Sequence, residues 1–250
     1  MENRNVQMEV CANSVHSALM AQQGGAVRVE LCASLTEGGT TPSYGEIAAA
    51  KKHLDIEVYP IIRPRGGDFL YSELEFEIMK TDIISCRDLK CEGVVTGILT
   101  ANGNVDKKRC AELIELAGSM KVAFHRAFDM TKDMAQALED LIELGFVRVL
   151  TSGGKASADD GSDQLKTLNT QAASRIAIMP GAGINLDNIR GIIQKTGATE
   201  FHASARRNTV SQMQFRNTAL QMGGPADEYS GSMTDPGLVK KLLELANHTK

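Results

Sequence analysis

The sequence predicts an α/β fold, a single-domain (β/α)8 or TIM barrel of eight parallel strands, on three observations. Eight short apolar runs recur along the chain, and segments with helical spacing of apolar residues separate most of them. Such alternation implies parallel pairing, because parallel neighbours need a crossover between them. The connections leaving the runs are long and polar whereas those entering them are short, the asymmetry of a barrel with a built-up C-terminal face. An open doubly wound sheet is the alternative. One barrel fits 250 residues, and no linker, low-complexity tract or composition shift divides 1–250 into two units.

The runs, in order, are VQMEVC (6–11), VRVELC (27–32), EVYPIIR (57–63), GVVTGI (93–98), KVAFH (121–125), VRVLT (147–151), RIAIMP (175–180) and TEFHA (199–203). Pro42 and Ser43 open a helix over 44–53, Ser43 being a good N-cap. Met134, Ala137, Leu138, Leu141 and Ile142 repeat at helical spacing; so do Leu186, Ile189, Ile192 and Ile193, with Asn185 placed to cap a helix over 186–195. Gly145 and Gly197 stand where helices end in a left-handed residue. Beyond 219, MGGPADEYS (222–230) reads as loop, and Pro236 starts a last helix with Leu238, Leu242 and Leu245 on one face, packed on the barrel or against another subunit.

Composition narrows the partners. Lys plus Arg is 27 against 31 acids, net −4, with no basic block or aromatic-basic ribbon, so nucleic acid is not expected as a partner. No apolar stretch approaches the roughly 20 residues of a membrane helix, and MENRNVQ lacks the apolar core of a signal peptide. Five irregularly spaced cysteines are an odd number, which fits reduced thiols in a cytosol better than a disulfide framework.

The strand exits collect polar groups: Glu9 and Cys11, Glu30 and Cys32, Arg63 and Arg65, Thr96, His125, Arg126 and Asp129, Ser152, then His202 and Ser204. Residues two apart on a strand share a face, so Glu9 with Cys11, Glu30 with Cys32, and His202 with Ser204 can each point into one mouth. Adjacent strands lie about 4.8 Å apart, so Cys11 and Cys32, if in register and on one side, hold their sulfurs within reach of one ion. Two soft thiolates with little else suit Cu(I), since Zn(II) usually takes four ligands and Mg(II) oxygens. The alternative makes each thiol a small buried hydrophobe at the rim. Cys86, Cys91 and Cys110 fall on outer helices, as core packing or as idle exposed residues.

Carboxylates ending apolar strands are costly to bury unless cations answer them, and Arg63 and Arg65 are the candidates for Glu9 and Glu30. One reading is a structural ion-pair ring. The other is catalysis, with a carboxylate or His125 as general base, an arginine fork on an anionic substrate, and His202 or Asp129 as acid. Gly181 and Gly183 in PGAGI (180–184), with Ser204 in SARR (204–207), match the position where many barrels bind phosphate; tight turning explains the glycines equally.

The stretches MEVC (8–11), ELC (30–32), EGGTTPS (37–43), IRPRGGDFLYS (62–72), FHRAFDM (124–130), RVLTSGG (148–154), the 180–184 turn and ATEFHASAR (198–206) together resemble the copper homeostasis family called CutC. The likeness runs from about residue 6 to 218. It implies a TIM barrel in the cytoplasm, homodimers or larger assemblies such as homotetramers, and handling of Cu(I). The family's suggested copper thiols fall on Cys11 and Cys32. The density of polar groups in the mouth leaves a second reading open: an enzyme of lyase or isomerase type acting on a small anionic metabolite through Arg63, Arg65 and His125.

Overall fold

A computed structural model describes residues 5–220, 222 and 228–248. Each of the eight apolar runs forms a strand: β1 (Gln7–Ala12), β2 (Arg28–Leu31), β3 (Glu57–Pro60), β4 (Gly93–Thr96), β5 (Lys121–Phe124), β6 (Arg148–Thr151), β7 (Ala177–Pro180) and β8 (Glu200–Ala203). They pair in parallel as two four-stranded sheets, β3-β2-β1-β8 and β4-β5-β6-β7. A single parallel bridge, Ile61 to Val95, joins β3 to β4, with the Ile62 amide donating to the Val95 carbonyl at 2.7 Å. Strand β7 lies beside β8 without a ladder among the described residues. The arrangement is α/β and TIM-barrel-like.

The helices between the strands are α1 (Val15–Gly24), α2 (Tyr44–His53), α3 (Glu73–Asp88), α4 (Lys107–Ala117), α5 (Met134–Leu144), α6 (Ser162–Ala172) and α7 (Ile189–Thr196). Local chemistry starts and stops them. Ser43 and Ser72 form capping boxes with Glu46 and Glu75, each pair satisfying two otherwise orphaned amides. Gly145 and Gly197 end α5 and α7 at φ 88° and 69°, where a side chain would be strained. Helix α7 starts three residues later than its apolar spacing suggests. Asn185 accepts instead from the Asp187 amide, and Asn188 accepts from that of Asn185, so 186–188 is a turn. Cys86 and Cys110 lie on α3 and α4, but buried Cys91 sits in the connection after α3 rather than on a helix.

The C-terminal helix α8 (Pro236–Asn247) packs on α1 and α7, with proline in its first turn and Asp235 as its cap. The fit is close: a Cβ on Gly24 would lie 2.5 Å from Val239 Cβ. Asn247 ties it to the residue before β1 by accepting from the Val6 amide at 2.8 Å. Before α8 an antiparallel hairpin, β9 (Arg206–Val210) with β10 (Ser230–Thr234), departs from the expected loop. Its sequences RRNTV and SGSMT are largely exposed and carry no apolar alternation, so nothing in them signals a strand. The loop expected over 222–230 lies outside the described residues at 223–227, and its last residue, Ser230, begins β10.

Alternation along the strands separates two cores. Val10, Val29, Val58, Val94, Val122, Val149, Ile178 and Phe201 face outward and are buried beneath the helices. Each such side chain contributes about 1.5–3 kcal/mol by leaving water. The residues between them face inward, where only a small apolar group gathers around Tyr59, Ile61, Val95 and Ala123, with Cys11 and Cys32 at its edge. Beside it, along with Leu150 and Met179, stand the charged and polar groups that build the site.

Candidate functional site

The floor of the interior is an ion network centred on Arg28, whose side chain is 2% exposed. It donates to Glu9, to Glu200 at 2.5 Å and to Glu57 at 3.4 Å. Arg148 reaches the same Glu200 at 3.1 Å, and both guanidinium groups lie 5.3 Å from the centre of the Tyr59 ring. Glu9, 1% exposed, spends its second oxygen on His202 Nδ1 at 2.8 Å. The glutamates are therefore not answered by Arg63 and Arg65, as the sequence reading expects. Arg28, Arg148, Glu57 and Glu200 lie two residues before Glu30, Leu150, Tyr59 and His202, so the period-two rule that flagged the strand exits could have found them one layer down.

Arg63 is buried but turned to its own loops, donating to the carbonyls of Glu37, Gly39 and Gly67 at 2.8, 2.6 and 2.9 Å. Arg65 leaves the mouth altogether, paired with Glu75 at 2.6 Å and Asp68 at 3.0 Å. Asp129 accepts from Thr151 Oγ1 at 2.5 Å, from the amides of Ser152 and Gly154, and from Arg126 at 2.8 Å, so it clasps two loops together. Gly183 turns the chain at φ 72°, while Gly181 is needed because a Cβ there would meet Leu150. With α7 starting at Ile189, this turn does not open a helix, which removes the helix-terminus basis for a phosphate site.

Above the floor stand the thiols. Cys11 lies opposite Glu30 in the β1–β2 register, which makes Cys11 and Cys32 diagonal neighbours with their sulfurs 3.8 Å apart. The donor atoms of Cys11, Glu30 and Cys32 all lie within 4.8 Å of one another. Hydrogen bonding from Cys32 holds the Cys11 thiol well below its usual value in spite of burial, with His202 helping; the same bond, and then burial, pushes Cys32 well above. Burial pushes Glu30 up to about 8, against the pull of His202, which lies 3.7 Å from it. Burial also works against the charge on Glu9, but Arg28 and then His202 overcome it and hold that carboxyl at about 2. His202 is desolvated too, yet bonds to Cys11 and Glu9 raise it well above the ordinary imidazole value, so it is a cation at neutral pH.

His125 is the opposite histidine. Burial, then the charge of Arg63, lower it to about 3, leaving a neutral ring. Its Nδ1 accepts from the Ala127 amide at 3.2 Å, which places the proton on Nε2, an atom with no partner among the described residues. The ring is wedged over Gly97, where a Cβ would lie 2.7 Å from Cε1, and its centroid is 4.9 Å from that of Phe69.

These groups open into one cavity of about 520 Å³, lined among others by Cys11, Glu30, His125, His202, Ser204 and Arg206. Arg63, Asp129 and Gly183 also border it, whereas Arg65 and Gly181 do not. No helix among the described residues is long and apolar enough to cross a membrane.

Comparison with known proteins agrees with the motifs. The CutC family model matches residues 6–207. A family protein CutC from Chromobacterium violaceum is 50% identical over 238 residues, covering 95% of this chain and 96% of that protein. The human copper homeostasis protein cutC homolog is 48% identical over 243 residues, covering 96% of this chain and 89% of its own. Among solved structures, CutC from Streptococcus agalactiae superposes with a TM-score of 0.77 at 35% identity, over 80% of this chain and 98% of that one. Phosphoribosyl anthranilate isomerase from Thermotoga maritima, at 13% identity and TM-score 0.59 over 98% of this chain and 100% of that one, shares the fold alone.

Proposed function

The chain belongs to the CutC family, and from that premise we propose that it is a cytoplasmic copper homeostasis protein that holds one Cu(I) between Cys11 and Cys32. The observation that carries this reading is the 3.8 Å between the two sulfurs. It is less than twice a metal–thiolate bond of about 2.3 Å, so one ion reaches both without moving the strands. Glu30 offers an oxygen at the same point, and soft sulfur selects a soft monovalent ion over Mg or Ca. The Cys11 thiol, lowered by Cys32, is the readier of the two to bind as thiolate. Cys11 is partly exposed to the cavity, which gives the ion a way in and out, as a protein that handles copper as cargo requires.

The eight strands close into one barrel, a single domain over 1–250, through the Ile61–Val95 bridge on one side and the β7–β8 contact on the other. The chain assembles as a homodimer or homotetramer, with Val210, Met213, Phe215 and Leu220 as the apolar contact, each of them exposed. Competitive titration with a chromophoric Cu(I) chelator under reducing conditions tests the metal site. One ion per chain is expected, with loss of at least tenfold in affinity in Cys11→Ser, Cys32→Ser; unchanged affinity in that variant removes the reading.

A further inference from the structure

The cavity is larger than an ion needs. A volume of about 520 Å³ lies within the range of roughly 300–1,000 Å³ typical of sites for small organic molecules. Its walls include Leu35, Ile61, Phe69, Leu150 and Ile184, an apolar surface that a hydrated ion has no use for. Two polar side chains of the cavity have groups with no hydrogen-bond or ion-pair partner among the described residues. One is His125 Nε2–H, a buried donor on a ring that is 3% exposed. A native structure leaves such a group unpaired only at a cost in stability, which an acceptor supplied from outside recovers. The other is Arg206, an exposed cation at the rim that has no ion pair with a carboxylate among the described residues, although its charge also helps to lower the Cys11 thiol.

We propose that this cavity is also an organic-ligand site, taking a small carboxylate with an apolar body: a carbonyl or hydroxyl oxygen accepts from His125 Nε2–H, and the carboxylate pairs with Arg206. Asp129 faces the same space, so a monoanion suits it better than a dianionic phosphate. The neutral ring suits a carbonyl oxygen, because it donates without bringing a charge into the apolar wall. This site goes beyond the copper reading and uses neither thiol.

Calorimetric titration of the full chain in the presence of a metal chelator tests it, with benzoylformate as the aryl keto-acid probe, acetophenone as its neutral counterpart and inorganic phosphate as the second anion. Saturable binding of benzoylformate at millimolar concentration or below is expected, with weaker binding of acetophenone and phosphate. Arg206→Gln, on an exposed hairpin, should weaken binding about fivefold, and His125→Asn, which keeps an acceptor for the Ala127 amide, about tenfold. The Cys11→Ser, Cys32→Ser variant should bind the keto acid unchanged, which separates this proposal from the copper site. No saturation by benzoylformate, equal binding of acetophenone, or full binding by the Arg206→Gln protein overturns it.

Discussion

Replacing Arg28 by methionine is the sharpest test of the charged interior. The guanidinium is 2% exposed and serves Glu9, Glu200 and Glu57 together. In Arg28→Met, Glu200 keeps Arg148 at 3.1 Å and Glu57 keeps Lys121 at 2.8 Å, but Glu9 keeps only His202 at 2.8 Å. One carboxylate that is 1% exposed thus loses its strongest partner. Removing one member of a buried pair typically costs 3–5 kcal/mol, and the surviving imidazolium argues for the low end, about 3 kcal/mol. For a chain of this size that is about 6–12 °C in Tm. Chemical denaturation followed by circular dichroism measures it, and Glu9→Gln added to Arg28→Met should restore part of the loss, because the stranded charge is gone. A loss below about 1 kcal/mol in Arg28→Met, or no recovery in the double variant, refutes the view that Arg28 holds the floor together.

Gly97→Ala should destabilise by about 1–3 kcal/mol and loosen His125, since the new Cβ would lie 2.7 Å from Cε1 of a ring wedged against Phe69; an unchanged melting curve means the ring has room to move. Gly24→Ala should cost a similar amount by parting α1 from α8, because its Cβ would lie 2.5 Å from Val239 Cβ, and hydrogen exchange of α8 amides should accelerate. The depressed His125, at about 3 against an ordinary 6.5, makes the folded state the weaker proton binder, so its contribution is present above 6.5 and is lost as pH falls toward 3. Glu30, raised to about 8, opposes this slope in the parent protein, so the comparison with His125→Asn isolates the histidine. Between pH 6 and 4.5 the parent should lose up to about 1.4 kcal/mol per pH unit more than the variant, and equal slopes in denaturant titrations would count against a neutral His125.

The eight strands, the alternating helices and the convergence of Cys11, Glu30, His125 and His202 on one cavity were legible from the chain, because period and parity are local properties. A residue two places from another on a strand shares its face whatever the rest of the molecule does. The pairing of those residues was not legible. That Glu9 meets Arg28 and His202 rather than Arg63 follows from the registers of β1 against β2 and β8, and β8 is nearly two hundred residues away in sequence. That Arg65 turns outward follows from where loop 63–72 meets α3, and that Arg63 is spent on carbonyls follows from how the loop after β2 folds over it. Sequence by itself determined which side chains face inward; the tertiary structure alone decided which of them touch, because strand register and loop closure are set by the packing of the whole fold and by no segment within it.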